Sequence, residues 1–316
     1  MNLVHDNKVY TWPRRINGGV QRGYKLAGFS ALGGFLFGVP FVGMGVFIIM
    51  IGTGNFKIDP STVHAPYGVI TIAGVLFAFA GLLVWGMAIK QLMAERRHSA
   101  MIAAHQSTAV TDYPWDTRGF TPDKWAPVRN GITGIILLTC FSAIFGYIAL
   151  EVSGVPWWVQ LIWGLMALLT LYVYYDTGVK AVRAIKFGAS RIAFDTFPYQ
   201  LNKPVIIKWV PPTALTQANS GSFTLRCVEE FYETTGSGDN RSTTLVHNEL
   251  WHDTWLLEQT QSFHPGEDMS IRYEPPQGLP STALSGDKTI FWEFEIKLKM
   301  PGPDFVATYL VPVYGE

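Results

Sequence analysis

The titratable side chains of the segment VHNELWHDTW are the strongest candidates for chemistry in this chain. His247, Glu249, His252 and Asp253 lie close together, and imidazole and carboxylate groups are common ligands of zinc. On a regular β-strand, alternate residues face the same side, so His247 and Glu249 would share a face and His252 would lie on the opposite one. A metal site needs three or four converging ligands. We therefore expect a polar sheet face here rather than a metal site.

Two further histidines, His98 and His105, are seven residues apart in a segment that favours a helix. They would lie on one side of it, two turns apart. Metal-binding histidine pairs on a helix are usually closer, at i and i+4, so this spacing does not favour a metal or haem site. The sequence also contains no nucleophile elbow, phosphate-binding loop or dinucleotide-binding glycine motif. These features predict a protein that is not an enzyme and binds no cofactor.

Four uncharged apolar runs precede residue 176, and they dominate the first half of the chain. They span about residues 27–51, 67–89, 132–150 and 157–175, and a helix of about 20 apolar residues crosses a bilayer. We predict four transmembrane helices in a domain of residues 1–188, with a loop at 90–130. The runs contain no Asp, Glu, Lys, Arg or His, which argues against a coupled transporter because such proteins need charges within the membrane.

The positions of Lys and Arg predict the orientation of these spans. Basic residues precede the first run, fill the loop at 90–130 and follow the fourth run, whereas the connections at 52–66 and 151–156 hold only Lys57. Cytoplasmic loops carry the excess of Lys and Arg. Both termini and the loop at 90–130 are therefore predicted to be cytoplasmic.

The first span carries small residues at intervals of four: Ser30, Gly34 and Gly38. Such spacing lets two helix backbones approach closely. Two interpretations follow. The row could pack against a second copy or another subunit, or it could pack against the second span of the same chain.

The loop at 90–130 has two parts. Its first part, QLMAERRHSAMIAAHQ, favours a helical extension of the second span. Its second part, YPWDTRGFTPDKWAPVRNG, is broken by prolines and carries three aromatic residues, Trp115, Phe120 and Trp125. This part could lie along the inner face of the membrane or pack on the helices as an ordered loop. Its three aromatic residues are candidate partner contacts.

The remainder of the chain predicts a separate β domain over residues 189–316. After a helical continuation that ends at Gly188, short runs with alternating polarity are separated by turn residues, as in RIAFDTF, KPVIIKWV and the closing FWEFEIKLKMPGPDFVATYLVPVY. This pattern indicates an antiparallel β-sandwich.

Charge is divided between the two halves. Up to Arg191 the chain has sixteen Lys and Arg against eight Asp and Glu, and after it eight against sixteen. An acidic domain of this kind is repelled by nucleic-acid phosphates, so no nucleic-acid partner is expected. Acidic residues near the polar hairpin tip TTGSGDNRS are candidate contacts for a protein partner: Glu229, Glu230, Glu233 and Asp239.

Two motifs of this domain resemble arrestin-like sandwiches: IRYEPPQGLPST, and the closing hairpin FWEFEIKLKMPGPDFVATYLVPVY. The paired spans, the PW…R…F.P..W segment, KFGAS and the final VPVY also resemble a family of uncharacterised bacterial inner-membrane proteins. The first resemblance implies an arrestin/immunoglobulin-like fold and a protein-binding module, and the second implies a location in the bacterial inner (plasma) membrane. Neither implies catalytic residues.

Two functions from different classes follow from these features. The leading hypothesis is a scaffold or accessory subunit of a membrane complex, which uses the cytoplasmic sandwich to dock a protein partner. The alternative is an oligomeric pore or transport subunit in which the sandwich serves as a gate or an oligomerisation ring. The expected partners are the lipid bilayer and either another protein or further copies of this chain.

Overall fold

The computed structural model describes residues 3–6, 8, 10, 12–16, 31–56, 66–103, 108–151, 155–236, 241–264, 266–285 and 288–315. The helices in these ranges are α1 (Ala31–Gly52), α2 (Tyr67–Ala103), α3 (Thr108–Asp112), α4 (Ala126–Glu151) and α5 (Trp157–Phe187). The strands are β1 (Leu3–His5), β2 (Arg14–Ile16), β3 (Gly119–Phe120), β4 (Arg191–Phe194), β5 (Tyr199–Gln200), β6 (Val205–Val210), β7 (Gln217–Ala218), β8 (Ser220–Thr235), β9 (Ser242–Leu257), β10 (Gln261–Ser262), β11 (Met269–Tyr273), β12 (Thr289–Lys299), β13 (Phe305–Val311) and β14 (Val313–Tyr314).

The chain forms two compact units that do not follow its linear order. One consists of Gly28–Glu95 and Ala126–Lys180, and the other of Met1–Ala27, Arg96–Trp125 and Ala181–Glu316. The sandwich unit therefore takes in the N-terminal segment and the middle of the chain, whereas the sequence suggested a single boundary at residue 188. We call the first the helical unit and the second the sandwich unit.

Four helices, α1, α2, α4 and α5, are long and apolar enough to cross a membrane. Large apolar side chains cover their outer surfaces; Leu168 and Leu171, for example, are each 64% exposed. An apolar surface of this extent is unusual for a protein surrounded by water. The apolar runs of the sequence thus correspond to four long helices.

The helix ends extend beyond the apolar runs. As expected, α2 continues through the basic segment to Ala103, and α5 continues to Phe187. Gly188 follows α5 with a φ of +73°, a left-handed conformation that commonly ends helices and favours glycine. The fourth helix in chain order, α4, begins at Ala126, earlier than the apolar run that starts at residue 132.

Small residues of α1 pack closely against α2. A Cβ atom added at Gly45 would lie 2.7 Å from the Cα of Ala78, and one added at Gly52 would lie 2.9 Å from the Cα of Thr71. At Gly38 an added Cβ would overlap the indole of Trp85, whose Nε1 donates a hydrogen bond to the Phe35 carbonyl. The close approach therefore occurs within one chain. Gly34 is buried in the same helix, and Ser30 lies outside the described residues.

Two antiparallel sheets form the sandwich, and the main apolar core lies between them. The larger sheet has the order β1-β9-β8-β12-β13, with β2 also paired to β9, and the smaller has the order β11-β6-β4-β3. Alternate residues of β12 point inward, so that Trp292, Phe294 and Ile296 are buried. They share the core with residues of the smaller sheet such as Ile207 and Trp209. The expected closing hairpin is present as β12 and β13, paired from Trp292 with Val311 to Leu298 with Phe305.

Candidate functional site

A β-bulge in β9 brings together the titratable residues that the sequence placed on opposite faces. Cys227 pairs with Trp251 and Val228 with Glu249, so Leu250 has no partner on β8. The extra residue reverses the alternation along β9. His252 consequently lies on the same side as Glu249, with its Nδ1 2.7 Å from Oε1 of Glu249. The expectation of opposite faces was wrong because it assumed a regular strand.

Glu249 is the centre of a buried ionic cluster on the outer face of the larger sheet. Its side chain is 2% exposed and accepts hydrogen bonds from His252 and, at 2.8 Å, from Arg14. Burial alone would raise the pKa of Glu249. The hydrogen bond and charge of His252, together with the charges of Arg14 and Arg226, outweigh burial and hold this pKa below its usual value of 4.5.

Arg226 continues the cluster across the sheet. Its Nε donates a 2.6 Å hydrogen bond to Glu293, and its guanidinium lies 3.7 Å from Glu295 and 4.0 Å from Glu249. The carboxylates are therefore neutralised by cations. Among the described residues, no group of three His, Cys, Asp or Glu side chains is arranged to hold a metal ion. The side chains of His98 and His105 lie outside the described residues.

The edge of β9 is covered by β1 and β2, and we call the described residues 3–6, 8, 10 and 12–16 the N-terminal arm. Its β1 pairs antiparallel with β9 from Leu3 opposite Leu257 to His5 opposite Trp255, and its β2 pairs from Arg14 opposite Glu249 to Ile16 opposite His247. β1 and β2 thus both run antiparallel to β9, one after the other, and together they form an interrupted edge strand. The sequence of this segment did not predict a strand.

Charges and aromatic rings join the arm to the sheet. His5 lies 2.6 Å from Asp253, and Arg15 lies 2.9 Å from Glu233. With the Arg14 and Glu249 pair, three basic residues of the arm contact three acidic residues of the β8–β9 hairpin. The rings of Tyr10 and Trp12 pack against the imidazole of His252, with centroids 4.3 and 4.8 Å away. The arm therefore covers the ionic cluster.

The proline and aromatic segment packs on the sandwich. Trp115 and Phe120 contact an apolar cluster that includes Val228, Phe291 and Leu310, and β3 extends the smaller sheet by pairing with β4. Neither of our two alternatives, the membrane face or the helices, anticipated this position. Trp125, by contrast, remains 39% exposed.

Asp112, which directly precedes the proline and aromatic segment, forms hydrogen bonds with the C-terminal part of the chain. Its buried carboxylate accepts hydrogen bonds from the backbone N–H groups of Leu284 and Ser285 and from the hydroxyl of Tyr314, at 2.8 to 2.9 Å. The Tyr314 hydroxyl also accepts a 3.1 Å hydrogen bond from Trp115. Asp112 could not be predicted as a site residue from the sequence, because a single carboxylate between two apolar runs forms no recognisable pattern.

The acidic residues near the hairpin tip differ in their availability to a partner. Glu230 is 3% exposed and lies 2.9 Å from the buried imidazole of His247. Glu229 and Glu233 are partly exposed and pair with Lys288 and Arg15 respectively. Asp239 lies outside the described residues. Only Glu229 and Glu233 of this set therefore present a carboxylate at the described surface.

Comparison with known proteins adds little to this description. No protein-family model matches the chain, and no curated protein matches it. Among solved structures, the sporulation control protein Spo0M from Bacillus subtilis matches 40% of this chain and 49% of its own, with 11% identity and a TM-score of 0.28. The match thus spans about half the length of the Spo0M chain, and at this TM-score it carries no argument. The two family resemblances still rest on the sequence motifs.

Proposed function

We propose that this chain is a non-enzymatic, multi-pass protein of the bacterial inner membrane. In this proposal the sandwich unit is cytoplasmic and docks a protein partner, so that the chain acts as a scaffold or accessory subunit of a membrane complex. The four apolar helices support insertion, because a surface formed by residues such as Leu168 and Leu171 is favourable in lipid and unfavourable in water.

The observation that carries the proposal is which segments of the chain form the sandwich unit. Its three pieces come before the first apolar helix, between the second and third, and after the fourth. In a chain that crosses a membrane four times, these three pieces lie on one side and are free to fold together. The Lys and Arg distribution assigns that side to the cytoplasm. Two independent features thus support one topology.

A docking role is supported by the exposed residues that remain after the sandwich has folded. Trp125 is 39% exposed, with the ammonium of Lys124 5.7 Å from its ring centre, and partly buried aromatic residues are frequent hot spots of protein interfaces. Glu229 offers a carboxylate whose nearest cation, Lys288, is 3.5 Å away. We propose Trp125, Glu229 and Glu233 as partner contacts.

The test is purification of the tagged full chain from native membranes in a mild detergent, followed by identification of co-purifying proteins. We expect a stoichiometric partner that is lost from Trp125→Ala and from Glu229→Lys. The matched control is Glu274→Lys, because Glu274 is also an exposed glutamate paired with a cation, Arg272. Full recovery of the partner with every variant would contradict these contacts, and the absence of any stoichiometric partner would contradict the docking role.

The pore hypothesis receives no comparable support. Its basis was the row of small residues in the first span. Gly38 of that row approaches α2 of the same chain, as do Gly45 and Gly52 further along α1. We therefore do not propose a pore.

A further inference from the structure

We propose that the outer edge of β11 binds an extended, basic segment of a partner protein, which adds a strand to the smaller sheet. A Lys or Arg side chain of that segment faces Asp253, between the indoles of Trp251 and Trp255. The inference rests on the proposed docking function and deepens it, because it names the class of segment that is bound and a further place of contact.

The outer edge of β11 is open among the described residues. β11 is the terminal strand of the smaller sheet, and within the described part of the chain it pairs only with β6, from Met269 opposite Trp209 to Tyr273 opposite Val205. No backbone hydrogen bond joins the other side of β11 to any described residue. A strand edge of this kind readily pairs with a further strand, and extended peptides are recognised in this way.

The larger sheet extends beyond this edge. Tyr273 of β11 donates a 2.9 Å hydrogen bond to the Phe223 carbonyl of β8, so β11 lies over β8. The neighbouring strand β6 reaches toward β13, where Trp209 donates a 3.1 Å hydrogen bond to the Tyr309 hydroxyl. β9 flanks β8 on the side away from β13. A strand added to β11 therefore lies over β9.

The inner face of β9 combines two indoles with a carboxylate at this position. Trp251, Asp253 and Trp255 are opposite three residues of β8 that are buried in the core, so their side chains point to the inner side of the sheet. Both indoles are partly buried, and the Asp253 side chain is 16% exposed. Nε1 of Trp255 is buried and has no hydrogen-bond partner among the described residues. An added strand brings acceptors, its carbonyl groups, to this face.

These side chains favour a cation on the added strand. Ammonium and guanidinium groups are attracted by indole rings and by carboxylates, and Asp253 lies between two tryptophans on one strand face. Only one oxygen of Asp253 is used by His5, at 2.6 Å. After Arg191 the chain has eight Lys and Arg against sixteen Asp and Glu, and this charge favours the approach of a basic segment.

The extension of the larger sheet argues for a single segment rather than a second copy of this chain. If a second copy paired through its own β11, its Tyr273 would hold its own β8 beneath that strand. That β8 would occupy the space that β9 fills in the first copy. An extended segment of another protein carries no second layer and avoids this overlap.

The experiment measures the binding of synthetic peptides to the full chain in detergent by fluorescence anisotropy. The probe is a labelled peptide, Thr-Val-Thr-Arg-Thr-Val-Thr, in which the arginine and both valines share one face of a strand. One comparison peptide has glutamate in place of the arginine. The other has the sequence of the probe with methylated backbone nitrogens, which cannot donate hydrogen bonds to a strand edge.

We expect the arginine peptide to bind with a Kd several-fold lower than that of either comparison peptide. Asp253→Asn should reduce the preference for arginine over glutamate, and Asp304→Asn should leave it unchanged. Asp304 is a matched control because it is an exposed aspartate that directly precedes β13, at the opposite side of the larger sheet from β9. The three peptides on the unmodified protein decide the matter even if Asp253→Asn does not fold.

Several results would overturn the inference. Equal binding of the arginine and methylated peptides would show that no strand is added, and equal binding of the arginine and glutamate peptides would show that the site selects no cation. Absence of binding by all three peptides, or an unchanged preference in folded Asp253→Asn, would also refute it. A dimer that the arginine peptide dissociates in size-exclusion chromatography would assign the edge to a second copy.

Failure of this inference is distinguishable from failure of the docking function. Co-purification of a partner is measured without the peptides, and its loss is followed with Trp125 and Glu229 variants. A partner recovered with the unmodified chain, together with no peptide binding, would refute the β11 site alone.

Discussion

The hydroxyl of Tyr314 donates a 2.8 Å hydrogen bond to the buried carboxylate of Asp112, a residue 202 positions earlier in the chain. The same carboxylate accepts the N–H groups of Leu284 and Ser285. All of these groups are donors, so the site requires an acceptor with several lone pairs, which an ionised carboxylate provides. Asp112 therefore holds the segment between α2 and α4 against the last strand of the sandwich unit.

We predict that Asp112→Asn destabilises the sandwich unit by about 1–3 kcal/mol, because the amide turns a donor toward donors that are buried. Glu274→Gln is the control, since its exposed pair with Arg272 should change stability by less than about 0.5 kcal/mol. Thermal unfolding of the detergent-solubilised protein measures both effects. Equal midpoints for Asp112→Asn and the unmodified protein would show that the carboxylate is dispensable.

We predict that Gly45→Ala separates α1 from α2, because the added Cβ would lie 2.7 Å from the Gly74 carbonyl oxygen and from the Cα of Ala78. Backbone atoms cannot move aside as a flexible side chain can, and overpacking typically costs about 1–3 kcal/mol. Gly43→Ala is a matched control two residues earlier, where an added Cβ meets nothing within 4 Å. Heating followed by size-exclusion chromatography compares the two, and equal loss of folded protein would refute the close packing.

We predict that Glu249 makes the folding stability depend on pH in the acidic range. Its pKa in the folded protein lies below the usual 4.5, so the unfolded state takes up a proton first as the pH falls. The stabilisation is present above the unfolded pKa and is lost as the pH drops through the folded pKa. Between about pH 6 and about pH 3, the unmodified protein should lose more thermal stability than Glu249→Gln. An equal loss of thermal stability by the two proteins over this pH range would argue against this contribution of Glu249.

We predict opposite accessibility for two exposed positions in the proposed topology. Asn55 lies after α1 and Thr235 near the end of β8, and both are exposed. In a Cys140→Ser background, Asn55→Cys should react with a membrane-impermeant maleimide in intact cells, whereas Thr235→Cys should react only after permeabilisation. Labelling of Thr235→Cys in intact cells would reverse the orientation, and labelling of both positions would contradict a four-span topology.

Local patterns in the sequence predicted the parts of the fold that depend on local physics. The uncharged runs predicted the four long helices, the glycine at 188 predicted the end of α5, and the alternation from Trp292 to Val311 predicted β12 and β13. In each case the pattern is set within about 20 neighbouring residues, through helix length, turn chemistry or strand period.

The remaining features depend on pairing between distant residues. The bulge at Leu250 is one residue in an otherwise regular strand, and without it His252 and Glu249 would not meet. The arm carries too few alternating residues to indicate strands. Its strands β1 and β2 form by pairing with the distant β9. Trp115 and Phe120 suggested an interaction surface but pack within the sandwich unit. The sequence thus predicted which residue types form the candidate site, but it did not predict how they are arranged.

The pairing of the arm with β9 also has a consequence for biosynthesis. Arg14 and its partner Glu249 are separated by 235 residues, and ribosomes add roughly 5–20 residues per second. The arm is therefore synthesised roughly 10–50 s before the strand that receives it, and all four apolar helices emerge in between. Closing the larger sheet is accordingly a late event in the life of the nascent chain, and it takes place only after the helices have been made.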